Sequence, residues 1–478
     1  MLTASTSPIS TSQVPLLHKK IWYDRGTVAR LLCPVGFLFS CCIVVLSLCL
    51  GVWLQHYATT NVWILDSPSR YGLKAAITVV TTVCIKSMAY VHNISLRWAL
   101  FHEGKLRFNS NLRLVQHCRN SPANSWFANL ACFLGVVVCY FAAAVIVLEC
   151  ETVKDRTMYV TLPQTLIAYA LAMLAQVVVT ALALPSAYRA PTFTCNPLDT
   201  AAAALTHSHA EARNRLVRRD GRCLMGVERH SDPSEPTRPK RWQPSIFRAH
   251  KDLRPWIYIL RSGDDVASIA FDGTLDPETG KSLLPDLAFS KLFAIAAGPQ
   301  MPLALLLHAS ERLVNCIRDE AAWRKMAHKR GTRRESANPL VAFLTSPPAV
   351  LLFLIKNIVH FSYIFTIQVS ADRSTSKEVE SIPGLDQAYF HPYFHPYIVT
   401  ALAFWPRKGP QPATYGHLQT IVDLIDEWPK HGEETMYWGH KAGGTGWKET
   451  EPVNHAGVLS AALGPFAGAN SRSDSLHV

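Results

Sequence analysis

Residues 31–54 read LLCPVGFLFSCCIVVLSLCLGVWL, and these 24 residues contain no charged side chain. Two later segments, Trp126–Leu148 and Tyr159–Leu184, are also free of charge over 23 and 26 residues. A helix of roughly 20 apolar residues crosses the hydrocarbon core of a bilayer, and it satisfies its own backbone hydrogen bonds there. Each of the three segments is therefore predicted to be a transmembrane helix.

Two further spans are predicted although each contains ionisable residues. Ala75–Val91 carries Lys86 near its end, where a long side chain can reach the headgroups. Val341–Ile367 contains Lys356 and His360, which must face protein or water rather than lipid. A proline pair near the start of this segment is expected to cap or kink the helix.

The remaining apolar segments are less regular. Tyr389–Trp405 is short and rich in aromatic residues, and we count it as the sixth span. Leu287–His308 contains a lysine and two prolines. If it crossed alone, residues 309–340, with eight Lys and Arg, would lie outside the cell, against the positive-inside tendency. It is predicted to be re-entrant or interfacial; the alternative is a partner span at Trp256–Phe271, which three charged residues penalise.

The basic residues between the spans predict the orientation. Lys and Arg number four in residues 1–30, two in 55–74, five in 93–125 and two in 149–158. This alternation places both termini in the cytoplasm. Residues 210–256 carry twelve Lys and Arg against six acids without apolar periodicity, which is typical of a flexible basic loop.

The predicted fold is all-α: a polytopic helical membrane protein with about six transmembrane helices, a basic cytoplasmic loop and a short amphipathic helix in the C-terminal tail, through Leu418 to Trp428. Five regions follow. They are a cytoplasmic tail (1–30), a four-helix transmembrane region (31–184), a basic, largely flexible cytoplasmic loop (185–286), a second membrane region with two spans and one re-entrant or interfacial segment (287–405), and a cytoplasmic C-terminal tail (406–478).

The composition agrees with a membrane protein. Of 478 residues, 49% are hydrophobic and 17% are charged, and mean hydropathy is +0.10. The net charge of +12 lies in segments between the apolar runs. We therefore expect contact with anionic lipid headgroups rather than with nucleic acid. Twelve cysteines are scattered without a CxxC motif, so neither a disulfide framework nor a zinc site is predicted.

Motifs for catalysis or cofactor binding are absent from the sequence: there is no Walker A loop, no dinucleotide fingerprint, no HExxH and no GxSxG. No catalytic, cofactor or metal site and no cofactor is therefore predicted. His391 and His395 are four residues apart, which on a helix would place both on one face as metal ligands, but a proline follows each, and an interfacial turn is the preferred interpretation. His207 and His209 with Cys195 and Cys223 match the spacing of no familiar zinc site. Asn93-Ile94-Ser95 is a glycosylation sequon in a segment predicted to be cytoplasmic.

Lys86, Lys356 and His360 are the better candidates for function, because ionisable groups in spans can mark ion or proton paths. The simpler interpretation is preferred: Lys86 reaches the interface and Lys356 pairs with a neighbouring helix. A proton relay also needs Asp or Glu, and the predicted spans contain none. His417 with Asp423, Asp426 and Glu427 suggests acid–base chemistry, but a solvated helix face is the preferred interpretation. 

Three strings are more specific than composition. They are Ser95–Leu114, with SLRWAL and FNSNLRL; Arg318–Arg324, with RDE and WR; and Pro406–Trp428, with GPQPATYGHLQ. Together with Tyr437-Trp438-Gly439 and His455-Ala456-Gly457 they resemble a family of uncharacterised multi-spanning integral membrane proteins of filamentous fungi, over most of residues 30–460. The resemblance implies a further span near Trp256–Phe271 and an acid where this chain has Lys86. It implies no activity.

Two functional hypotheses remain. The preferred one is a non-enzymatic membrane protein, either a transporter-like or channel-like bundle or a scaffold. The alternative is a membrane-embedded enzyme that acts on a lipid or interfacial substrate through His417 and the carboxylates near it. The absence of a recognised nucleophile, metal set or cofactor loop favours the first.

Overall fold

Four helices of the computed structural model are long and apolar enough to cross a membrane. The structure describes residues 22–57, 62–64, 67–153, 156–161, 163–212, 243–249, 251–255, 257, 289–326, 332–333, 338–366, 403–404, 414–425, 428, 435–440 and 456–459. The four long helices are α1 (Thr27–His56), α2 (Ser67–His102), α3 (Trp126–Val145) and α4 (Pro163–Arg189). They contain most of the first four predicted spans, and the all-α class is confirmed at this level.

The outer surface of these helices is apolar. In α1 only 17% of the most apolar stretch is buried. Large exposed side chains cover α1 and α4: Leu31, Val35, Leu38, Val45, Leu46, Leu171, Val178 and Leu182. A surface of this kind is not stable in water, and it fits contact with lipid tails.

Small residues allow the helices to approach closely. A Cβ atom on Gly36 of α1 would lie 2.8 Å from Ser87 Cβ of α2, and one on Gly51 would lie 2.9 Å from Ile167 of α4. Such contacts are typical of helix packing in membranes, where dispersion rather than exclusion of water holds helices together.

A small antiparallel sheet joins one end of the four helices. Strand β1 (Val62–Ile64) follows α1, and β2 (Val147–Val153) and β3 (Arg156–Thr161) form a hairpin between α3 and α4, in the order β1-β3-β2. The charge-free runs Trp126–Leu148 and Tyr159–Leu184 are therefore not wholly helical. Their outer ends, residues 147–148 and 159–161, belong to strands that pair with each other.

At the opposite end, the chain is more ordered than predicted. Helix α2 continues to His102, because Ile94, Leu96, Trp98 and Phe101 are buried in the core. After α4, the described start of the predicted flexible loop forms helix α5 (Pro197–Ala212), whose first turns are buried. A single short turn, α6 (Ile246–Ala249), follows the undescribed residues 213–242.

The second half contains one very long helix. Helix α7 (Phe289–Met326) contains most of the segment predicted to be re-entrant or interfacial and continues beyond it, and it packs against α3 and a later helix. It is not among the four described helices that are both long and apolar enough to cross a membrane. Its prolines, Pro299 and Pro302, lie inside the helix without ending it.

The segment Val341–Ile367 is divided where the proline pair predicted a cap or kink. Helix α8 (Pro339–Leu344) ends before Ser346, and α9 (Pro347–Thr366) starts at the first proline of the pair. Asn338 caps α8 by accepting a hydrogen bond from the backbone N–H of Leu340. Ile367 and the predicted span Tyr389–Trp405, except for residues 403–404, lie outside the described residues.

The C-terminal segment packs on the same end as α5. Helix α10 (Leu418–Leu424) buries Leu418, Ile421 and Val422 completely, so the predicted amphipathic helix is part of the core rather than of a free tail. Three short strands, β4 (Thr332–Arg333), β5 (Thr435–His440) and β6 (Ala456–Leu459), form a second antiparallel sheet in that order.

Candidate functional site: a charge cluster between the helices

Three charged side chains from three helices meet at one point between the helices. Glu311 of α7 accepts a hydrogen bond from Lys86 Nζ of α2 through Oε1. Through Oε2 it accepts a second from Lys356 Nζ of α9, over 2.9 Å. The side chain of Lys356 is 9% exposed, and those of Glu311 and Lys86 are 25% and 31% exposed. We call Lys86, Glu311 and Lys356 the charge cluster.

The charge cluster is not balanced among the residues that the structure describes. Two ammonium groups share a single carboxylate, which leaves one positive charge in excess when all three groups are ionised. The imidazole of His308, one helical turn before Glu311, has Nδ1 3.9 Å from Glu311 Oε2. Burying such charges costs several kcal/mol per ion unless they are paired, so removing Glu311 would leave two lysines uncompensated.

Polar and aromatic groups continue from the cluster into the helix bundle. The ring of His360 in α9 stacks on Tyr140 of α3, with centroids 3.5 Å apart and planes at 6°. The Tyr140 hydroxyl lies 3.1 Å from Thr82 Oγ1 of α2, which in turn lies 3.0 Å from Asn357 Oδ1 of α9. Polar contacts therefore connect α2, α3 and α9 across the helix interface.

The candidates from the sequence are thus brought together, with one partner that sequence reasoning missed. Lys356 pairs with a neighbouring helix, as the simpler interpretation expected, and Lys86 pairs with the same carboxylate instead of only reaching an interface. The predicted spans contain no acid. Glu311 lies three residues after the predicted segment Leu287–His308. It becomes a candidate because one helix, α7, runs without a break through most of that segment and past Glu311.

A second cluster of buried polar residues lies further along α7, at the end of the bundle that holds α5. We call it the second buried core; it comprises Arg97, Asn109, Asp319, Glu320 and Tyr415. Arg97 of α2 is 4% exposed and donates hydrogen bonds to the carbonyl oxygens of Asn109 and Thr194. The side-chain amide of Asn109 donates to Asp319 Oδ2 over 3.0 Å. Burial raises the pKa of Asp319 to about 6, although Arg318 lies on its other oxygen at 3.7 Å.

The next residue of α7 holds the turn before α10. Glu320 Oε2 accepts hydrogen bonds from the backbone N–H of Tyr415, over 3.0 Å, and from the hydroxyl of Thr414. Burial raises the pKa of Glu320 to about 7. Gly416 completes the turn with φ of +77°, and a Cβ atom there would lie 2.5 Å from Asp319 Oδ2, so only glycine fits.

The three sequence strings singled out above therefore meet in the second buried core. Asn109 belongs to the first string, Asp319 and Glu320 to the second, and Tyr415 to the third. Trp323 is fully buried and contacts Trp438 edge to face at 5.6 Å. This arrangement accounts for the strings by packing and hydrogen bonding.

The residues proposed for acid–base chemistry have a local role where they are described. His417 is the N-cap of α10: its Nδ1 accepts from the backbone N–H of Thr420 and lies 2.8 Å from the Thr420 hydroxyl. Asp426, Glu427 and the side chain of Asp423 lie outside the part of the chain that the structure describes.

Of the weak metal candidates, His207 contacts the Tyr23 hydroxyl at 3.1 Å, and the Cys195 carbonyl accepts a hydrogen bond from Asn109. No group of three metal-binding side chains occurs within the part of the chain that the structure describes. Cys223, His391 and His395 fall outside it.

Comparisons of the chain with models of protein families, with curated proteins and with solved structures found no match. The resemblance to fungal membrane proteins therefore stays a prediction.

Proposed function

We propose that the chain is a multi-pass integral membrane protein that passes a solute through its helix bundle, with the charge cluster on the path. The observation that carries this proposal is Glu311, held between lysines of two different helices. The sequence analysis found no Asp or Glu in the predicted spans, and α7 brings Glu311 to the two lysines. Ionisable groups in such a position are costly, and they commonly mark substrate or ion pathways.

The contacts of the cluster support movement better than permanent structure. A buried ion pair is weak support for stability, because apolar residues of the same volume often stabilise a fold equally well or better. Because Lys86 and Lys356 share one carboxylate, Glu311 can pair with both lysines or with either one alone. Transporter sites are built at such helix interfaces, where one group of helices moves against another.

The proposed topology keeps both termini in the cytoplasm. Helices α1 to α4 cross the membrane, α9 is the fifth span and Tyr389–Trp405 is the sixth. Helix α7 reaches Lys86 and Lys356 from a re-entrant or interfacial position, and the alternative of a partner span at Trp256–Phe271 stays open. The basic segment 210–256 then faces anionic headgroups on the cytoplasmic leaflet.

The enzyme alternative receives less support from the described residues. His417 is engaged as a helix cap. Glu320 accepts hydrogen bonds from Tyr415 and Thr414, and Asp319 accepts one from the side-chain amide of Asn109. A general base needs reach to a substrate proton, and these side chains are packed inside the protein.

Thiol labelling tests the transport proposal. Asn357 lies beside Thr82 near the charge cluster, and in the variant Asn357→Cys a solute path would bring water to this position. A membrane-impermeant methanethiosulfonate reagent is expected to label it in sealed vesicles from at least one side. Labelling is measured by mass change, after subtraction of the labelling of native cysteines in the parent protein.

Leu354→Cys is the matched control on the same helix. Leu354 is 50% exposed on the outer surface of the bundle, which faces lipid in the proposed topology, and the reagent should not reach it. If Asn357→Cys remained unlabelled from both sides while folded, the bundle would be a closed scaffold and the transport proposal would fail.

A further inference from the structure

We propose that the charge cluster is a binding site for a small oxyanion, a carboxylate or a phosphate, and that Glu311 occupies this site as a tethered carboxylate. The inference rests on the proposed function and specifies the class of solute. It follows from how Lys86 and Lys356 are arranged rather than from their presence alone.

The two ammonium groups approach one carboxylate from opposite helices. Lys86 donates to Oε1 and Lys356 to Oε2, so the lysines are spaced to hold two oxygens of one anionic group. Charge-assisted hydrogen bonds of this kind are roughly twice as strong as those between neutral groups. A free oxyanion that took the place of the Glu311 oxygens would make the same contacts.

The excess charge of the described cluster indicates a preference for anions. When all three groups are ionised, Lys86 and Lys356 carry two positive charges against one negative charge on Glu311, and each ammonium has further donors. His308 adds an imidazole whose Nε2 is buried and has no hydrogen-bond partner in the described structure. A cation brought to this point would be repelled, whereas an anion would restore neutrality.

Glu311 can leave this position without unfolding the helix. Its side chain is 25% exposed and extends from a continuous helix, so rotation about its own bonds is enough to release the lysines. Glu311 then competes with the incoming anion, and the affinity of the wild-type protein is reduced by this internal competitor.

Removal of the competitor tests the inference. In Glu311→Gln the side chain keeps its shape but loses its charge. Full-length protein is placed in phosphatidylcholine nanodiscs, and binding of succinate and of inorganic phosphate is measured calorimetrically at constant ionic strength. At least tenfold tighter binding of one of the two anions than in wild type is expected, and Lys356→Met added to Glu311→Gln should abolish the gain.

Glu103→Gln is the matched control, since Glu103 pairs with Lys105 at the exposed end of α2 and not between helices; it should bind as wild type does. If Glu311→Gln does not give monodisperse protein, Glu311→Ala takes its place, because it also removes the tethered carboxylate. An unchanged or weaker affinity for both anions in the folded variant, without stabilisation by an anionic lipid in the series described next, would overturn the inference.

A lipid headgroup can present the same phosphate chemistry. A parallel series with phosphatidic acid in the nanodiscs distinguishes the sources: thermal stabilisation of Glu311→Gln by this lipid, without binding of succinate or free phosphate, would assign the site to a headgroup. Labelling of Asn357→Cys combined with no anion effect in either series would leave the transport proposal standing and reject the oxyanion site alone.

Discussion

A buried carboxyl group responds to pH according to what surrounds it, and Glu320 is 1% exposed. Its pKa is raised from 4.5 to about 7 because burial disfavours its charged form. The folded protein therefore binds this proton more tightly than the unfolded chain does. Stability falls as pH rises through the window from about 4.5 to 7, by roughly 3 kcal/mol at most.

Glu320→Gln is expected to remove the fall in thermal stability between pH 6 and 7. Glutamine keeps an oxygen that accepts from the Tyr415 N–H but has no proton to lose. Below pH 6 a smaller dependence should remain, because the pKa of Asp319 is also raised, to about 6. The apparent melting temperature in mild detergent, from pH 5.5 to 8, is the measurement.

The surface variant Glu103→Gln should retain the full pH dependence of the wild type. An equal fall between pH 6 and 7 in Glu320→Gln would show that another group titrates there.

Single residues were partly predictable from sequence. Lys86 and Lys356 stand out because they interrupt apolar segments, and that signal is local. Their partner Glu311 does not stand out, because it lies in a helix of ordinary charge and becomes unusual only when α7 packs against α2 and α9. Pairing across 225 residues is a tertiary fact that composition and periodicity do not contain.

Helices were predicted better than their ends. Charge-free runs locate α1, α3 and α4, but the outer ends of two of these runs form strands that pair with each other. An uncharged stretch of aromatic and β-branched residues such as 159–161 suits either a helix or a strand. The break at Ser346–Pro347 follows from the chemistry of proline. The continuation of α7 through Pro299 and Pro302 does not, and it depends on the packing of this helix.

The apolar face of α1 leads to a prediction about depth. Leu46 and Leu31 are both exposed, at 62% and 73%, but Leu46 lies deep inside the span and Leu31 close to its start. Leu46→Arg should cost about 3 kcal/mol of insertion free energy, whereas the arginine of Leu31→Arg can reach the headgroups. The fraction of full-length protein recovered as a monodisperse species in mild detergent should fall several-fold only for Leu46→Arg.

Recovery of both variants at the wild-type level would mean that this face of α1 does not lie against lipid. Equal loss in both would point to a folding contact rather than to depth in the membrane.

The loops that connect the long helices are gathered at two opposite ends of the helix bundle. The sheet β1-β3-β2 gathers the connections after α1 and α3, and the second buried core gathers those after α2 and α4. The sequence predicted this alternation from the distribution of Lys and Arg. It did not predict that the loops at the second end fold into one core with the C-terminal segment, since their apolar residues are spread over three distant strings.

Opposite sidedness of the two ends is testable with two exposed positions. Tyr57, 75% exposed, follows α1, and the side chain of Lys105, 50% exposed, follows α2. In intact cells an impermeant thiol reagent should label Tyr57→Cys, and it should label Lys105→Cys only after the membrane is opened. Labelling of both positions from the same side would contradict a single crossing by α2.

Helix α7 connects the two polar regions of the protein as a stiff rod. Glu311 and Glu320 are nine residues apart in one uninterrupted helix, a separation of about 13.5 Å along the axis. A helix hardly shortens under axial force, so any shift of α7 along its axis at Glu311 would also displace Glu320, which accepts hydrogen bonds from Thr414 and Tyr415. Through α7, a displacement at the charge cluster would therefore reach the C-terminal segment that begins at this turn.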